Sequence, residues 1–224
     1  MVYMCGISGT NNLSKLEVLY QANVERGNFA SCLICLKEGN SQTIIKQPGC
    51  INFDKLQLSD KCDYYISHNQ APTSANREFK MEHTHPFEAL SWAVVHNGVI
   101  SNWKELKEKY IPRSTNTVDT SIISGLLQHF TEQTDGYFYA PLIIRKVLEL
   151  LEGTFALAIV DTDANDVYIA RQGSILHYND KCDFSTIKGK GFELLPEGQI
   201  MMLRDFEGWE PIEEFKTKSP FLFV

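Results

Sequence analysis

The sequence predicts an α+β domain with mainly antiparallel sheets and helices packed outside them. Strand-like and helix-like segments are interleaved along all 224 residues, and turn signals rather than long linkers separate them. Phe155–Asp161 and Asp166–Arg171 are joined by the short turn Thr162–Asn165, which is typical of an antiparallel hairpin. A chain of this length buries roughly 70% of the surface that its unfolded form exposes, so it needs no disulfide or metal to fold.

The strand predictions rest on runs rich in β-branched and aromatic residues. In chain order they are Met4–Ser8, Ala30–Leu36, Ser41–Lys46, Asp63–Ser67, Ser91–His96, Phe155–Asp161, Asp166–Arg171 and Gly198–Arg204. Cys32 and Cys35 have a C-x-x-C spacing, but they fall inside the second run. No second such pair completes a zinc site, so we interpret them as small core residues.

Helices are predicted where apolar residues repeat at three- and four-residue spacing. They are Lys15–Arg26, Trp103–Tyr110, Thr120–Phe130 and Tyr139–Leu151. Pro141 fits the first turn of the last helix, and the second helix ends before Ile111-Pro112, as expected ahead of a proline. Asp119 is placed to cap the third helix.

The composition excludes several classes of function. Hydrophobic residues make up 43% of the chain and charged residues 22%, which is ordinary for a globular protein. A net charge of −7 without a basic run disfavours nucleic-acid binding. No apolar stretch approaches the roughly 18 residues of a membrane span, and the start lacks a signal sequence. We therefore expect a cytoplasmic protein with no membrane partner, whose six cysteines are thiols.

Cys5 is the candidate nucleophile. A thiolate is strongly nucleophilic when a base lies nearby. A cysteine that begins a mature chain has its own α-amino group, with a pKa of about 8, as that base. Exposing the amine requires translation from Met4 followed by methionine removal, or cleavage of the tetrapeptide. Residues 1–4 are therefore expected to be a removable leader before one domain, 5–224. Taken alone, a cysteine so placed is more often inert than catalytic.

Asn97-Gly98 follows the predicted strand Ser91–His96. An asparagine amide and a glycine N–H at a strand end can both point at a developing oxyanion, because glycine lets the backbone approach closely. The same dipeptide is also a strong signal for a hairpin turn. The residues alone leave both interpretations open.

Taken together, the motifs resemble the class II glutamine amidotransferases, whose glutaminase domain belongs to the N-terminal-nucleophile (Ntn) hydrolases. The resemblance covers most of the chain, and the order of the motifs is highly specific although no single one is decisive. The matching segments are Cys5-Gly6-Ile7, Arg26-Gly27, Ser67–Thr73, His85-Pro86-Phe87, Val94–Asn102, Asp119-Thr120, Leu151–Ala156 and Ala170–Ser174. The resemblance implies a four-layer αββα sandwich.

The resemblance also implies the reaction. Cys5 would attack the side-chain amide of glutamine, with its α-amine as base, while Asn97 and Gly98 hold the tetrahedral oxyanion. Ammonia would leave, and water would hydrolyse the γ-glutamyl thioester. Amide hydrolysis by a thiol needs no metal and no cofactor.

Four further residues would bind and order the substrate by this resemblance. Asp119 would pair with the α-ammonium group of glutamine, and Arg26 would order the loop beside the nucleophile. His85 and Thr73 would line the pocket. The segment before Thr73 departs from the family, because Gln70 stands where an arginine usually clamps the substrate α-carboxylate. A neutral amide gives no bidentate, charge-assisted pair.

Three functions are compatible with Gln70. The leading hypothesis is a glutaminase subunit that supplies ammonia to a separate synthase subunit, since about fifty residues follow the last matched motif. Arg77 would then replace the missing clamp, or it is simply a solvated loop residue. The second hypothesis is a hydrolase of another amide or γ-glutamyl compound. The third is a catalytically retired binding or scaffold module.

Overall fold

Two antiparallel sheets stack face to face in the structure, a computed structural model that describes residues 4–37, 41–56, 58, 62–71, 78–134 and 139–217. The helices are α1 (Leu13–Asn23), α2 (Trp103–Tyr110), α3 (Ser121–Thr131) and α4 (Ala140–Leu148). The strands are β1 (Gly6–Thr10), β2 (Ala30–Lys37), β3 (Ser41–Pro48), β4 (Tyr64–Gln70), β5 (Phe87–Ala89), β6 (Trp92–Ile100), β7 (Gly153–Asp161), β8 (Asp166–Gln172), β9 (His177–Tyr178), β10 (Phe184–Ser185), β11 (Glu193–Leu194), β12 (Gln199–Arg204) and β13 (Gly208–Glu214).

The first sheet has seven strands in the order β11-β9-β10-β1-β4-β2-β3, and the second has six in the order β13-β12-β8-β7-β6-β5. Each pair of neighbouring strands in these two described sheets is antiparallel. The N-terminal strand β1 therefore lies inside the first sheet, between β10 and β4. In the second sheet, β6 pairs with β7 along its whole length.

Three buried clusters hold these layers together. One lies between the sheets and includes Ile66 and Val95. A second packs α2, α3 and α4 on the outer face of the second sheet, and a third packs α1 on the outer face of the first. The order helix, sheet, sheet, helix confirms the expected four-layer αββα sandwich. No helix within the described ranges is long and apolar enough to cross a membrane.

The strand and helix predictions are confirmed to within a few residues. The sequence missed β5, β9, β10 and β11, which are two or three residues long and too short to show a periodic pattern. It also missed β13, where Pro211 and three glutamates interrupt the apolar pattern of an edge strand.

One prediction was wrong at the site itself. The strand predicted to end at His96 continues to Ile100, so Asn97-Gly98 lies inside β6 rather than after it or in a hairpin turn. Asn97 pairs with Ala156 and Gly98 with Phe155. Gly98 has a φ of +148°, and a Cβ there would lie 2.0 Å from the Thr154 carbonyl oxygen. Only glycine fits this position without a backbone shift.

Candidate functional site

Cys5 lies directly before β1 and is half-buried. Because Gly6 pairs with Asn69, the thiol comes to the end of β4, where the Ala71 N–H donates to Cys5 Sγ at 3.4 Å. Met4 precedes it and is 42% exposed. The Cys5 nitrogen is an amide while Met4 is attached, so the α-amine base requires removal of the residues before it.

Arg26 follows α1 and holds the backbone of Cys5. Its Nε donates to the Cys5 carbonyl oxygen at 3.0 Å. Burial lowers the pKa of this guanidinium, and the nearby Cys5 opposes that shift. Arg26 Nη2 is buried and finds no acceptor among the residues that the structure describes. Gly27 makes the arrangement possible, since a Cβ there would meet the Ala71 nitrogen at 2.5 Å.

Asn97 is buried on the face of β6 that also carries Ala93 and Val95. Both of those residues belong to the core between the sheets, so this face looks toward the sheet that contains β1. The next residue is Gly98, with its positive φ. An amide and a peptide N–H at this place are suited to stabilising an oxyanion.

Asp119 joins the start of α3 to the end of β6. Its Oδ2 accepts from the Ile100 N–H at 2.9 Å, and its Oδ1 accepts from the Thr120 N–H at 2.8 Å. The expected helix cap is wrong, because Thr120 occupies the cap position, without a side-chain capping bond. The Asp119 side chain is half-buried.

Three buried histidines lie between these residues, and His85 is the one that the sequence assigned to the pocket. The rings of His68 and His85 stack with centroids 3.9 Å apart. His68 Nε2 lies 3.1 Å from the His96 carbonyl oxygen, which ties β4 to β6. His85 Nε2 and His96 Nδ1 lie 3.2 Å and 2.9 Å from Thr120 Oγ1. Sequence reasoning missed Thr120, whose only signal was its place after Asp119.

Burial keeps two of these rings neutral. It lowers the pKa of His68 to about 3. It also lowers the pKa of His96, although the negative charge of Asp119 opposes that shift. The rings therefore act as fixed hydrogen-bonding groups rather than as cations at neutral pH.

Gln70 ends β4 and is only 2% exposed. Its Nε2 donates to the His83 carbonyl oxygen at 3.1 Å. Its Oε1 is buried and has no donor among the described residues. Thr73 and Arg77 lie outside the described residues, so their predicted roles stay predictions.

A chain of contacts links the element that carries Cys5 to the one that carries Asp119. Cys5 touches the end of β4, His68 ties β4 to β6, and Thr120 ties β6 to Asp119. Within the described ranges, no group of three or more histidine, cysteine or acidic side chains is arranged to hold a metal ion. The site therefore combines a thiol, amide donors and a carboxylate.

An αββα sandwich with a cysteine directly before an inner strand has the architecture expected of an Ntn hydrolase, and comparisons with known proteins show which family it resembles. A family model described as a glutamine amidotransferase domain matches residues 80–178. That match begins after Cys5, Arg26 and Gln70. Residues 80–178 are thus similar to glutamine amidotransferase domains.

Two curated relatives extend the similarity to most of the chain. A glutamine–fructose-6-phosphate aminotransferase (isomerizing) from Listeria innocua is 29% identical over 87% of this chain and 33% of the relative. The protein of the same name from Streptococcus agalactiae is 26% identical over 94% of this chain and 35% of the relative. The chain thus spans about a third of the length of these relatives.

A solved structure shares the fold. Glutamine phosphoribosylpyrophosphate amidotransferase from B. subtilis, complexed with ADP and GMP, superposes with a TM-score of 0.70. It is 20% identical, and the alignment covers 93% of this chain and 49% of that one. This likeness supports the four-layer architecture independently of sequence.

Proposed function

We propose that this domain hydrolyses the side-chain amide of glutamine and releases ammonia, with Cys5 as the nucleophile. The observation that carries the proposal is the position of Cys5 Sγ against the Ala71 N–H, with Arg26 on the Cys5 carbonyl oxygen. A half-buried thiol that accepts a hydrogen bond at a strand end, on a residue whose carbonyl group is held by Arg26, suits a nucleophile better than a core residue.

In the proposed reaction, removal of residues 1–4 exposes the Cys5 α-amine at the head of domain 5–224. The amine takes the thiol proton, and Sγ attacks the amide carbon. The Asn97 amide and the Gly98 N–H stabilise the oxyanion. Ammonia leaves with the proton returned by the amine, and water then hydrolyses the thioester to glutamate.

Substrate recognition in this proposal rests on Asp119, which would bind the α-ammonium group. His85 and Thr73 would line the pocket, and Arg26 would order the nucleophile. Gln70 would face the α-carboxylate as a neutral donor, which is weaker than a guanidinium.

We propose a separate synthase subunit as the acceptor of the ammonia. The curated relatives are named for glutamine and fructose 6-phosphate, and this chain matches about a third of their length. A cytoplasmic location, without a nucleic-acid or membrane partner, fits the acidic composition. Co-purification that recovers no ammonia-using enzyme would contradict this proposal.

The test is the intact mass of the protein before and after exposure to an electrophilic diazo-ketone analogue of glutamine. We expect a chain that begins at Cys5 and gains one adduct, which Cys5→Ala abolishes. Cys50 is an exposed cysteine, so Cys50→Ala is the matched control and should still be labelled. A chain that starts at Cys5 and takes no label would overturn the proposal and favour a retired scaffold module.

A second candidate function is hydrolysis of another amide or γ-glutamyl compound. The observation that favours it is the buried Oε1 of Gln70, which has no donor among the described residues, accepts hydrogen bonds and repels a carboxylate. A substrate whose α-carboxyl group is blocked as an amide would offer an N–H donor instead. A substrate screen with glutamine and its α-amide separates the two candidates.

A further inference from the structure

The hydroxyl of Thr120 lies within 3.5 Å of three other side chains of the candidate site. Thr120 is 1% exposed and lies at the start of α3. Its Oγ1 is 2.9 Å from His96 Nδ1, 3.2 Å from His85 Nε2 and 3.5 Å from Asp119 Oδ1. The proposed reaction gives this buried side chain no role.

The hydrogen-bond directions follow from what each atom is able to donate. A neutral imidazole has one N–H, and the Thr154 carbonyl oxygen, 3.4 Å from His96 Nε2, only accepts. The His96 proton therefore sits on Nε2, and Nδ1 accepts the hydroxyl proton of Thr120. The lone pairs of Thr120 then accept from His85 Nε2–H. This arrangement satisfies both sides of the His96 ring.

Locking the His96 ring also locks the backbone that follows it. His96 directly precedes Asn97 in β6. A Cβ on Gly98 would lie 2.8 Å from His96 Nε2 and 2.0 Å from the Thr154 oxygen, so the ring and this carbonyl together confine Gly98. The Thr120 backbone N–H meanwhile fixes Asp119 Oδ1 at 2.8 Å.

We propose that Thr120 is a positioning residue for the amide hydrolysis: through the His96 ring, its hydroxyl holds Asn97 and Gly98 in the geometry that stabilises the oxyanion. This inference rests on the proposed glutaminase function. Because the Thr120 contact with Asp119 is made mainly by the backbone, side-chain replacement leaves the ammonium site in place. The hydroxyl acts on the chemical step more than on binding.

The test is steady-state glutamine hydrolysis by Thr120→Val, which keeps the shape of threonine without its hydroxyl. A displacement of about 1 Å at a reacting centre costs about 100-fold, so we expect kcat to fall roughly 10- to 100-fold. KM should stay within about threefold of wild type. Thr120→Ser restores a hydroxyl and should recover kcat to within about fivefold.

The matched control is Thr131→Val at the other end of α3. The Thr131 hydroxyl accepts from Trp92 Nε1 at 3.0 Å and donates to the Leu127 carbonyl oxygen, away from the site. The Thr131→Val substitution should lower the melting temperature and leave kcat unchanged. If the wild type is active and Thr120→Val has the same kcat, the positioning role of Thr120 is overturned while the proposed glutaminase function stands. A wild type without activity or label overturns the proposed function as well.

Discussion

The charge of individual side chains decides how a zwitterionic substrate would be held. Such a substrate needs a fixed anion and a fixed cation or cluster of donors. In the proposed site Asp119 would supply the anion, while the Nε2 of Gln70 donates to the His83 carbonyl oxygen. Arg26 Nη2 is a buried donor without an acceptor among the described residues. Positive charge beside Cys5 is therefore present, but Gln70 does not contribute it.

Gln70→Arg should strengthen glutamine binding. Hydrogen bonds to charged groups are worth about 1.5–3 kcal/mol, which corresponds to a roughly 10- to 100-fold lower KM at about 1.4 kcal/mol per decade. Initial rates across a glutamine series measure the effect. Gln70→Met has a similar length and no charge, and should show no gain. An arginine variant that folds and binds no better would show that this position does not face the carboxylate.

Strand β6 packs into the cores on both faces of its sheet and also contains the proposed oxyanion residues Asn97 and Gly98. It pairs with β7 over nine residues, and its early residues pack into the cores on both faces of the sheet. The strand changes character at Gly98, where φ is +148°. Gly153, opposite Ile100 on β7, also has a positive φ, of +130°. The two glycines allow the end of this ladder to adopt positive φ values that other residues rarely take, while the pairing of β6 with β7 continues.

Gly98→Ala should damage both folding and activity. The new Cβ would lie 2.0 Å from the Thr154 carbonyl oxygen, at a φ that other residues rarely adopt. We expect a loss of about 1–3 kcal/mol of unfolding free energy and at least about a 100-fold loss of kcat. Urea unfolding and glutamine hydrolysis measure these effects.

The control for Gly98→Ala is Gly208→Ala in β13, where no atom outside the neighbouring residues lies within 4 Å of the added Cβ. Its unfolding free energy should stay within about 0.5 kcal/mol of wild type. A Gly98→Ala variant as stable and active as Gly208→Ala would contradict the strained geometry of β6.

At the scale of the whole molecule, the packing of the two sheets buries the ionisable ring of His68. His68 extends from β4 toward the core between the sheets and is fully buried. Its pKa of about 3 in the folded state compares with 6.5 for an exposed imidazole. Between these two values the unfolded chain binds a proton that the folded chain does not bind. Folding stability must therefore fall as the pH is lowered through this range.

His68→Gln should weaken this dependence on pH. One excess proton on the unfolded state changes the free energy of unfolding by up to about 1.4 kcal/mol per pH unit. Between pH 6 and 4 the slope of unfolding free energy against pH should therefore be smaller in the variant than in wild type by about this value. Urea unfolding at several pH values gives the two slopes. Above about pH 7.5 the slopes should converge, because the imidazole is neutral in both states. Equal slopes below pH 6 would contradict a neutral, buried His68.

The local sequence was sufficient for the helices and for the longer strands except β13, but not for the short strands. Runs such as Ala30–Leu36 and Ser91–His96 identified β2 and most of β6, because alternating or continuous apolar residues reflect burial directly. The strands β9, β10 and β11 have two residues each and form because neighbouring strands offer hydrogen bonds. No periodicity exists over two residues, so only the folded sheet defines them.

The sequence by itself determined the αββα class through its family resemblance, and it predicted Cys5 as the nucleophile together with the site residues that the resemblance places beside it, because these inferences depend on residue types in a fixed order along the chain. Only the tertiary structure decided that Asn97-Gly98 lies within a strand and that Thr120 joins His85 to His96. Those residues are 35 and 24 positions away from Thr120 in sequence. Contacts of that kind form when two sheets and a helix pack together, and no local pattern encodes them.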